Sequence, residues 1–314
     1  MGWAQTEFET IDLGDKRLDR RLMLLAERLA DKPTASIPGA CKGWAETQAA
    51  YRFLAQEKVS WQAVLEPHWA CSLERMKTQR TVLCLQDTTE LDFNGQAIKG
   101  LGPLSYEAQR GMYLHPTYAV STEREPLGVL DAWMWARERK DGSGKRAGIK
   151  ESTRWIEGYA RLAELSNSLP DTRLVYVADR ESDIVELMRT ARDLGEPVDW
   201  LVRSQHNRTL PEGDTLWSSV MTQKPVGELR FNMPSRHGQK AREVCQHIRI
   251  KPVMLADGHG GQLSAHCVIA TEVDAPAGVK PVEWRLLTNR AVEGFKEAVE
   301  LIDWYRTRAI ILQI

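Results

Sequence analysis

The chain has 314 residues, of which 42% are hydrophobic and 27% charged, with 42 Lys and Arg against 43 Asp and Glu and a formal net charge of −1. That balance is ordinary for a soluble globular protein, leaves room for one to three domains, and excludes a low-complexity chain. It neither supports nor excludes a nucleic-acid partner, because basic residues can cluster locally on a neutral chain. The five cysteines, Cys41, Cys71, Cys84, Cys245 and Cys267, are scattered and never form a C-x-x-C pair. A disulfide framework or zinc site is therefore not expected, and a reducing cytoplasm fits. No secretory leader opens the chain and no long apolar run suggests a membrane span.

The first 75 or so residues read as helical. Leu18, Leu22, Leu25 and Leu29 recur at helical steps between Asp15 and Asp31, with Arg17, Arg20, Arg21 and Arg28 mostly off that stripe and Pro33 as a stop. A second helical pattern from Gly43 to Leu54 carries Trp44, Tyr51 and Leu54; Ser60 caps a third helix, which Pro67 should kink or end. The texture changes at Arg80. Thr81–Leu85 is a short apolar run of the kind that forms a strand buried on both faces, and it ends in Gln86-Asp87-Thr88-Thr89. Strands are expected at Met112–Val120 and Leu127–Trp135, a Gly- and Lys-rich loop at Lys140–Lys150, and a helix at Glu151–Asn167 with Trp155, Tyr159 and Leu162 on one side. Leu174–Val177 is another buried strand running into Ala178-Asp179-Arg180-Glu181, followed by a helix Ser182–Leu194 with Ile184, Leu187, Ala191 and Leu194 inward, and a strand Trp200–Arg203. From about Thr209 to Val282 the pattern is turn-rich and alternating, a β-rich insertion; Trp284–Leu287 returns as a strand and Gly294–Arg308 as a helix.

Strands interleaved with helices imply an α/β core with helices on both faces of a mixed sheet, whose active sites gather at strand ends. Asp87 and Asp179 each stand just after an apolar strand. Two carboxylates on neighbouring strand ends concentrate negative charge, which suits Mg²⁺, an ion that takes oxygen ligands and keeps waters for a phosphate substrate. An Asp after a strand is also a common turn or helix N-cap, and both residues fit that simpler role.

Several segments resemble the carboxylate-triad (DDE) transposases of the insertion-sequence-four, Tn-five-like bacterial group. Leu85-Gln86-Asp87-Thr88-Thr89 is similar to the first-acid motif, and Asp179-Arg180-Glu181-Ser182-Asp183-Ile184 to the second. Lys150-Glu151-Ser152 before Trp155, Arg110-Gly111 with His115, Val202-Arg203-Ser204 and Trp284 before Leu286-Leu287-Thr288 follow in family order. Leu13-Gly14-Asp15-x-Arg17 and Ala50-Tyr51-Arg52-Phe53 resemble the DNA-binding region. The resemblance implies a ribonuclease-H-like mixed-sheet core (76–208 and 282–314) with an N-terminal helical DNA-binding domain (1–75) and a β-rich insertion (209–281). It implies Mg²⁺, with Mn²⁺ as substitute, held by Asp87 and Asp179. Arg52, Arg203, Tyr305 and Arg308 become DNA contacts, and Trp284 the face on which a flipped base stacks. The partners implied are double-stranded DNA, as transposon ends and target, and a second copy in the family's homodimer, expected to be weakened here because the family's C-terminal region is missing, at the bacterial nucleoid.

The third acid belongs to a helix with the pattern Tyr-x-x-Arg-x-x-x-Glu-x-x-x-x-x-x-Lys. Tyr305 and Arg308 keep its spacing, but Leu312 stands at the Glu position, and the Lys position lies past the last residue. Leucine cannot ligate Mg²⁺, so strand cleavage should fall drastically; a truncated or frameshifted reading frame is expected. Glu181 and Asp183 flank the second motif and Glu297 and Glu300 precede Tyr305, but rescue of the third acid by any of them is not expected. The alternatives are a cleavage-dead remnant that still binds transposon ends, or a metal-dependent hydrolase unrelated to DNA on the same scaffold.

Overall fold

The computed structural model describes residues 2–148, 150–235 and 240–309. The chain divides into two compact units, Met1–Thr78 with Leu127–Leu130, and Gln79–Pro126 with Asp131–Ile314. No helix among the described residues is long and apolar enough to cross a membrane.

The first unit is built of five helices, α1 (Trp3–Glu7), α2 (Lys16–Asp31), α3 (Ile37–Ala40), α4 (Trp44–Leu54) and α5 (Trp61–Lys77). Leu22 and Leu25 of α2 pack with Phe8, Leu13, Ala50 and Phe53. Asp15 caps α2 by accepting from the Arg17 amide at 2.8 Å, and Gly14 before it has a φ of 73°, a left-handed conformation that a side chain would resist. The capping geometry explains the Gly-Asp-x-Arg sequence without reference to function. Ser60 caps α5 as expected, through the Ala63 amide. Pro67 does not end that helix, which runs on to Lys77 with the proline buried. On α4 the residues that bury are Thr47, Ala50 and Phe53; Trp44, Tyr51 and Leu54 form its exposed face, Trp44 at 74%.

The second unit holds the strands β1 (Thr81–Gln86), β2 (Thr89–Asp92), β3 (Gly102–Pro103), β4 (Arg110–Ser121) and β5 (Pro126–Trp135), then α6 (Ser152–Ser166), β6 (Arg173–Ala178), α7 (Val185–Asp193), β7 (Asp199–Arg203), α8 (Leu216–Met221), β8 (Gly227–Met233), β9 (Arg242–Ala256), β10 (Gln262–Val273), β11 (Glu283–Thr288) and α9 (Phe295–Thr307). These strands form one sheet in the order β2-β4-β1-β6-β7-β11-β10-β9-β8, with β3 and β5 also paired to β4. β1 is antiparallel to β4 and parallel to β6, and β6 is parallel to β7. A meander continued by two parallel strands on the other side of its first strand is the ribonuclease-H-like arrangement. The segment expected as a β-rich insertion, 209–281, continues this sheet beyond the core strand β11 as β10, β9 and β8, and it contains a short helix, α8, that its alternating pattern hid.

Period-2 alternation divides the sheet residues between two faces. Leu83, Leu85, Val175, Val177, Leu201 and Leu286 pack on α9, through Ala298, Leu301, Ile302 and Tyr305. The intervening residues meet α6: Tyr176 stacks edge-on against Tyr159 at 5.8 Å, and Gly158 lies so close to Gln86 that an added Cβ would stand 2.3 Å from its amide oxygen. With both faces covered, β1 and β6 are apolar nearly throughout.

Candidate active site

Strand register places the two sequence-predicted acids. Leu85 pairs with Val177 across β1 and β6, so two residues further on Asp87 is level with Asp179. Ala178 pairs with Val202 across β6 and β7, so Asp179 is level with Arg203. One acid, the second acid and an arginine therefore end three neighbouring strands in a row. By alternation they belong to the sheet face that packs on α9. Leu286 of β11 pairs with Arg203, and Trp284 follows two residues away on that face.

The backbone releases Asp87 for a local reason. β1 and β2 pair with β4 in one unbroken antiparallel register, Gln86 with Thr117 and Thr89 with Leu114. The ladder is interrupted only at Asp87 and Thr88, where that register brings Pro116 opposite Asp87. Proline has no N–H to give to a ladder and is uncommon inside a sheet, so a break in pairing beside it is consistent with its presence.

Asp87 accepts from the Thr88 amide at 2.9 Å and from Nη2 of Arg308 at 2.9 Å. Burial raises its carboxyl above the usual carboxylate range; Arg308 and the Thr88 amide pull it down, and the charge of Asp179 pushes it up. Asp179 caps the 3₁₀ turn Arg180–Ser182 by accepting from the Glu181 amide at 2.8 Å, so the simple capping role is real alongside its place in the row. Glu181 is also raised, first by burial and then by the charges of Asp179 and Asp87, which puts it in the same acidic field. Asp183 is not part of that field. It is buried, accepts from the amides of Gln205 and His206 at 2.7 and 2.9 Å, and pairs with Arg208 at 2.6 Å. This clamp holds Asp183 at φ −72°, ψ 63°, so the helix expected from Ser182 starts at Val185 and stops at Asp193. Leu194, expected inward, is its exposed C-cap.

Behind Asp87 a neutral hydrogen-bonded chain fixes the strand end. Gln86 donates to Thr117 at 3.1 Å and its carbonyl lies 3.0 Å from Nε2 of His115, while Thr88 Oγ1 lies 2.8 Å from Nδ1. With the Gln86 amide nitrogen committed to Thr117, its oxygen accepts from Nε2–H, and Nδ1 accepts from the Thr88 hydroxyl. Burial, reinforced by the charges of Arg154 and Arg161, lowers His115 to about 4, which keeps it neutral in this chain.

The other predicted residues lie as follows. Arg203 is exposed at the end of β7. Trp284 is half-buried, stacked on Phe231 at 5.6 Å with the Arg306 guanidinium 5.7 Å from its ring. Tyr305 is 7% exposed and its hydroxyl accepts from Arg308 at 3.3 Å. Arg308 is 8% exposed and turned onto Asp87. Leu312 lies outside the described residues. Among the described residues, no group of three or more His, Cys, Asp or Glu side chains is gathered so as to hold a metal ion. In the first unit, Arg17, Arg21 and Arg52 share the lining of a cavity of about 390 Å³ with Asp15, and Arg52 donates to Gln48 at 3.0 Å.

Residues 1–59 match the family model described as transposase DNA-binding. Among solved structures, the chain is similar to a piggyBac transposase in a synaptic complex with hairpin DNA, at 8% identity and a TM-score of 0.42. That match covers 98% of this chain and 61% of the piggyBac chain.

Proposed function

We propose that this chain is a DNA-binding protein of the DDE transposase kind, from the Tn-five-like bacterial group, with Asp87 and Asp179 as its first two acids. The observation that supports the reading is the parallel register of β1 on β6, whose pair Leu85–Val177 stands two residues before each acid, together with the charge of Asp179 acting on Asp87. The match of residues 1–59 to a transposase DNA-binding family supports it independently.

The two carboxylates suit Mg²⁺, or Mn²⁺ in its place, in donor type: both offer oxygen, and a pair of acids leaves coordination positions for water and phosphate. A bound ion would supply Lewis-acid stabilisation of a phosphodiester. Arg203 would hold a backbone phosphate beside Asp179, and Trp284 would offer its ring to an unstacked base once released from Phe231. Tyr305 and Arg308 would meet DNA only after Arg308 leaves Asp87. At the third-acid position Leu312 provides no carboxylate, so the chain is expected to bind transposon-end DNA without cutting it. Domains follow the same reading: 1–75 grips duplex DNA through Arg17, Arg21 and Arg52 beside the exposed rings of Trp44 and Tyr51, 76–208 and 282–314 form the catalytic-type core, and 209–281 is the insertion. Two copies on paired ends, and residence at the nucleoid, complete it.

The test is selection of bound duplexes from a random-sequence pool, followed by anisotropy and cleavage assays on the selected DNA. Binding should weaken with salt, and Arg52→Ala should lower the salt slope by about one phosphate contact. No nicking should appear with Mg²⁺ or Mn²⁺. Failure to select any duplex overturns the DNA-binding reading. Nicking that Asp87→Ala abolishes overturns the inactivity and leaves the family reading standing.

A further inference from the structure

Asn or Asp stands directly before Gly at Asn94-Gly95, Asp141-Gly142 and Asp257-Gly258. A glycine leaves its backbone nitrogen unshielded, because no Cβ stands beside it. Whether that nitrogen can reach the preceding side chain then depends on what the side chain is bound to. Asp141 Oδ1 accepts from the amides of Ser143 and Lys145 at 2.8 and 2.9 Å. Asp257 Oδ1 accepts from the amides of His259 and Gly261, both at 2.8 Å. Both carboxylates are thus held forward along the chain, as turn-capping acids are.

Asn94 differs. Its backbone N–H donates to Asp92 Oδ1 at 2.8 Å, but its side-chain amide makes no hydrogen bond among the described residues, and neither does the Gly95 N–H. The Gln96 amide donates to the Phe93 carbonyl at 3.0 Å and Gly95 has a φ of 80°, a turn that wants glycine in its third place. A Cβ built on Gly95 would meet nothing within 4 Å, and every residue from Asn94 to Gly100 is exposed. Packing therefore does not oppose rotation of this peptide. Of the other asparagines, Asn167 donates to the Glu164 carbonyl, Asn207 Oδ1 accepts from the Trp217 amide, Asn289 Oδ1 accepts from the Trp200 amide, and Asn232 lies within β8.

We propose that Asn94 is a site of spontaneous deamidation, where the loop between β2 and β3 converts to aspartate and isoaspartate. The Gly95 nitrogen attacks Cγ of Asn94, and a cyclic succinimide forms as the Cγ bond to the side-chain nitrogen breaks. The proton of the Gly95 nitrogen leaves with that group as ammonia. Water then adds to either ring carbonyl and opens the ring. Opening at Cγ restores the ordinary backbone with aspartate at position 94; opening at the other carbonyl gives isoaspartate, whose backbone runs through Cβ. Nothing is oxidised or reduced, and water is the sole co-reactant. Each product adds a negative charge beside Asp92. The site does not depend on the transposase reading.

The experiment is incubation of the full chain in mildly alkaline buffer, followed by tryptic digestion and mass spectrometry of the peptide Thr81–Lys99, with an undigested zero-time sample carried through as control. Fragmentation must place the mass gain on Asn94 rather than on Gln86 or Gln96, which lie in the same peptide, and must detect isoaspartate. The rate in the folded chain should stay within about tenfold of that in a synthetic peptide of residues 81–99, less than one protecting hydrogen bond of about 1.4 kcal/mol would impose. Gly95→Ala, which sets a Cβ beside the attacking nitrogen, should slow the conversion by at least about tenfold. Circular dichroism checks that this variant folds; Asn94→Ser, in an exposed turn, should remove the mass gain altogether and decides if it does not. Absence of conversion, a rate more than about tenfold below the peptide's, a smaller slowing in folded Gly95→Ala, or a mass gain that persists in Asn94→Ser overturns the proposal.

Discussion

Arg308→Met would remove the cation that now neutralises Asp87. The pair is 2.9 Å apart, with side-chain exposures of 9% for Arg308 and 18% for Asp87. It lies between an exposed pair, worth about 0–1 kcal/mol, and a fully buried one, whose breaking costs about 3–5 kcal/mol. A charge-assisted hydrogen bond of about 1.5–3 kcal/mol is the appropriate scale. Asp87 would then face the charge of Asp179 with less compensation, so the expected loss of stability is about 2–3 kcal/mol. Asp87→Asn alone should cost about 1 kcal/mol, because it weakens the bond to Arg308 while relieving the repulsion from Asp179. The double variant should be more stable than the sum of the two losses implies, with a coupling of at least about 1 kcal/mol, well above the roughly 0.5 kcal/mol scatter of independent sites. Urea unfolding followed by circular dichroism measures all four chains. Carbon-detected NMR of the Asp87 carboxyl provides a second readout: Arg308 lowers this group, so its titration should move further up in Arg308→Met. An additive cycle together with an unchanged Asp87 titration would refute the pairing, and with it the idea that Arg308 must leave Asp87 before meeting DNA.

Three further outcomes follow from the packing around the row. His115 is lowered from 6.5 to about 4 in the folded chain, so the unfolded chain binds its proton first as pH falls. Stability from this residue is whole above pH 6.5 and is lost between there and about 4, by about 3 kcal/mol in all; His115→Gln should flatten that part of the urea-midpoint curve. Gly158→Ala would normally favour a helix by about 0.5–1 kcal/mol. Here the new methyl would stand 2.3 Å from Gln86 Oε1, an atom already bound to His115, so thermal unfolding should show a net loss of about 1–3 kcal/mol. Arg208→Met leaves the Asp183 charge buried with only its amide donors, and should cost about 3–5 kcal/mol in urea unfolding; a loss below about 1 kcal/mol would mean that the two amides suffice.

Much of this was legible from local pattern. The apolar runs at Thr81–Leu85 and Leu174–Val177 announce strands buried on both faces, and the leucine steps of α2 and the caps at Asp15 and Ser60 announce helices, because each signal is carried by residues within one or two turns of one another. The two acids could be chosen for the same reason: each directly follows an apolar run. Local pattern failed where a distant partner overrides it. The helix after Asp179 starts late because Asp183 is held by amides from residues 205 and 206. On α4 the pattern left the buried face open, and it is Ala50 and Phe53, packed with Phe8 and Leu25, that set it and leave Trp44, Tyr51 and Leu54 exposed. Most of the site is of this second kind. Sequence names Asp87, Asp179, Arg203 and Arg308 but cannot level the first three or turn the fourth onto the first. Those relations are set by strand register and by the packing of α9 on the sheet, and contacts between residues 92 or 221 positions apart leave no local periodicity to read.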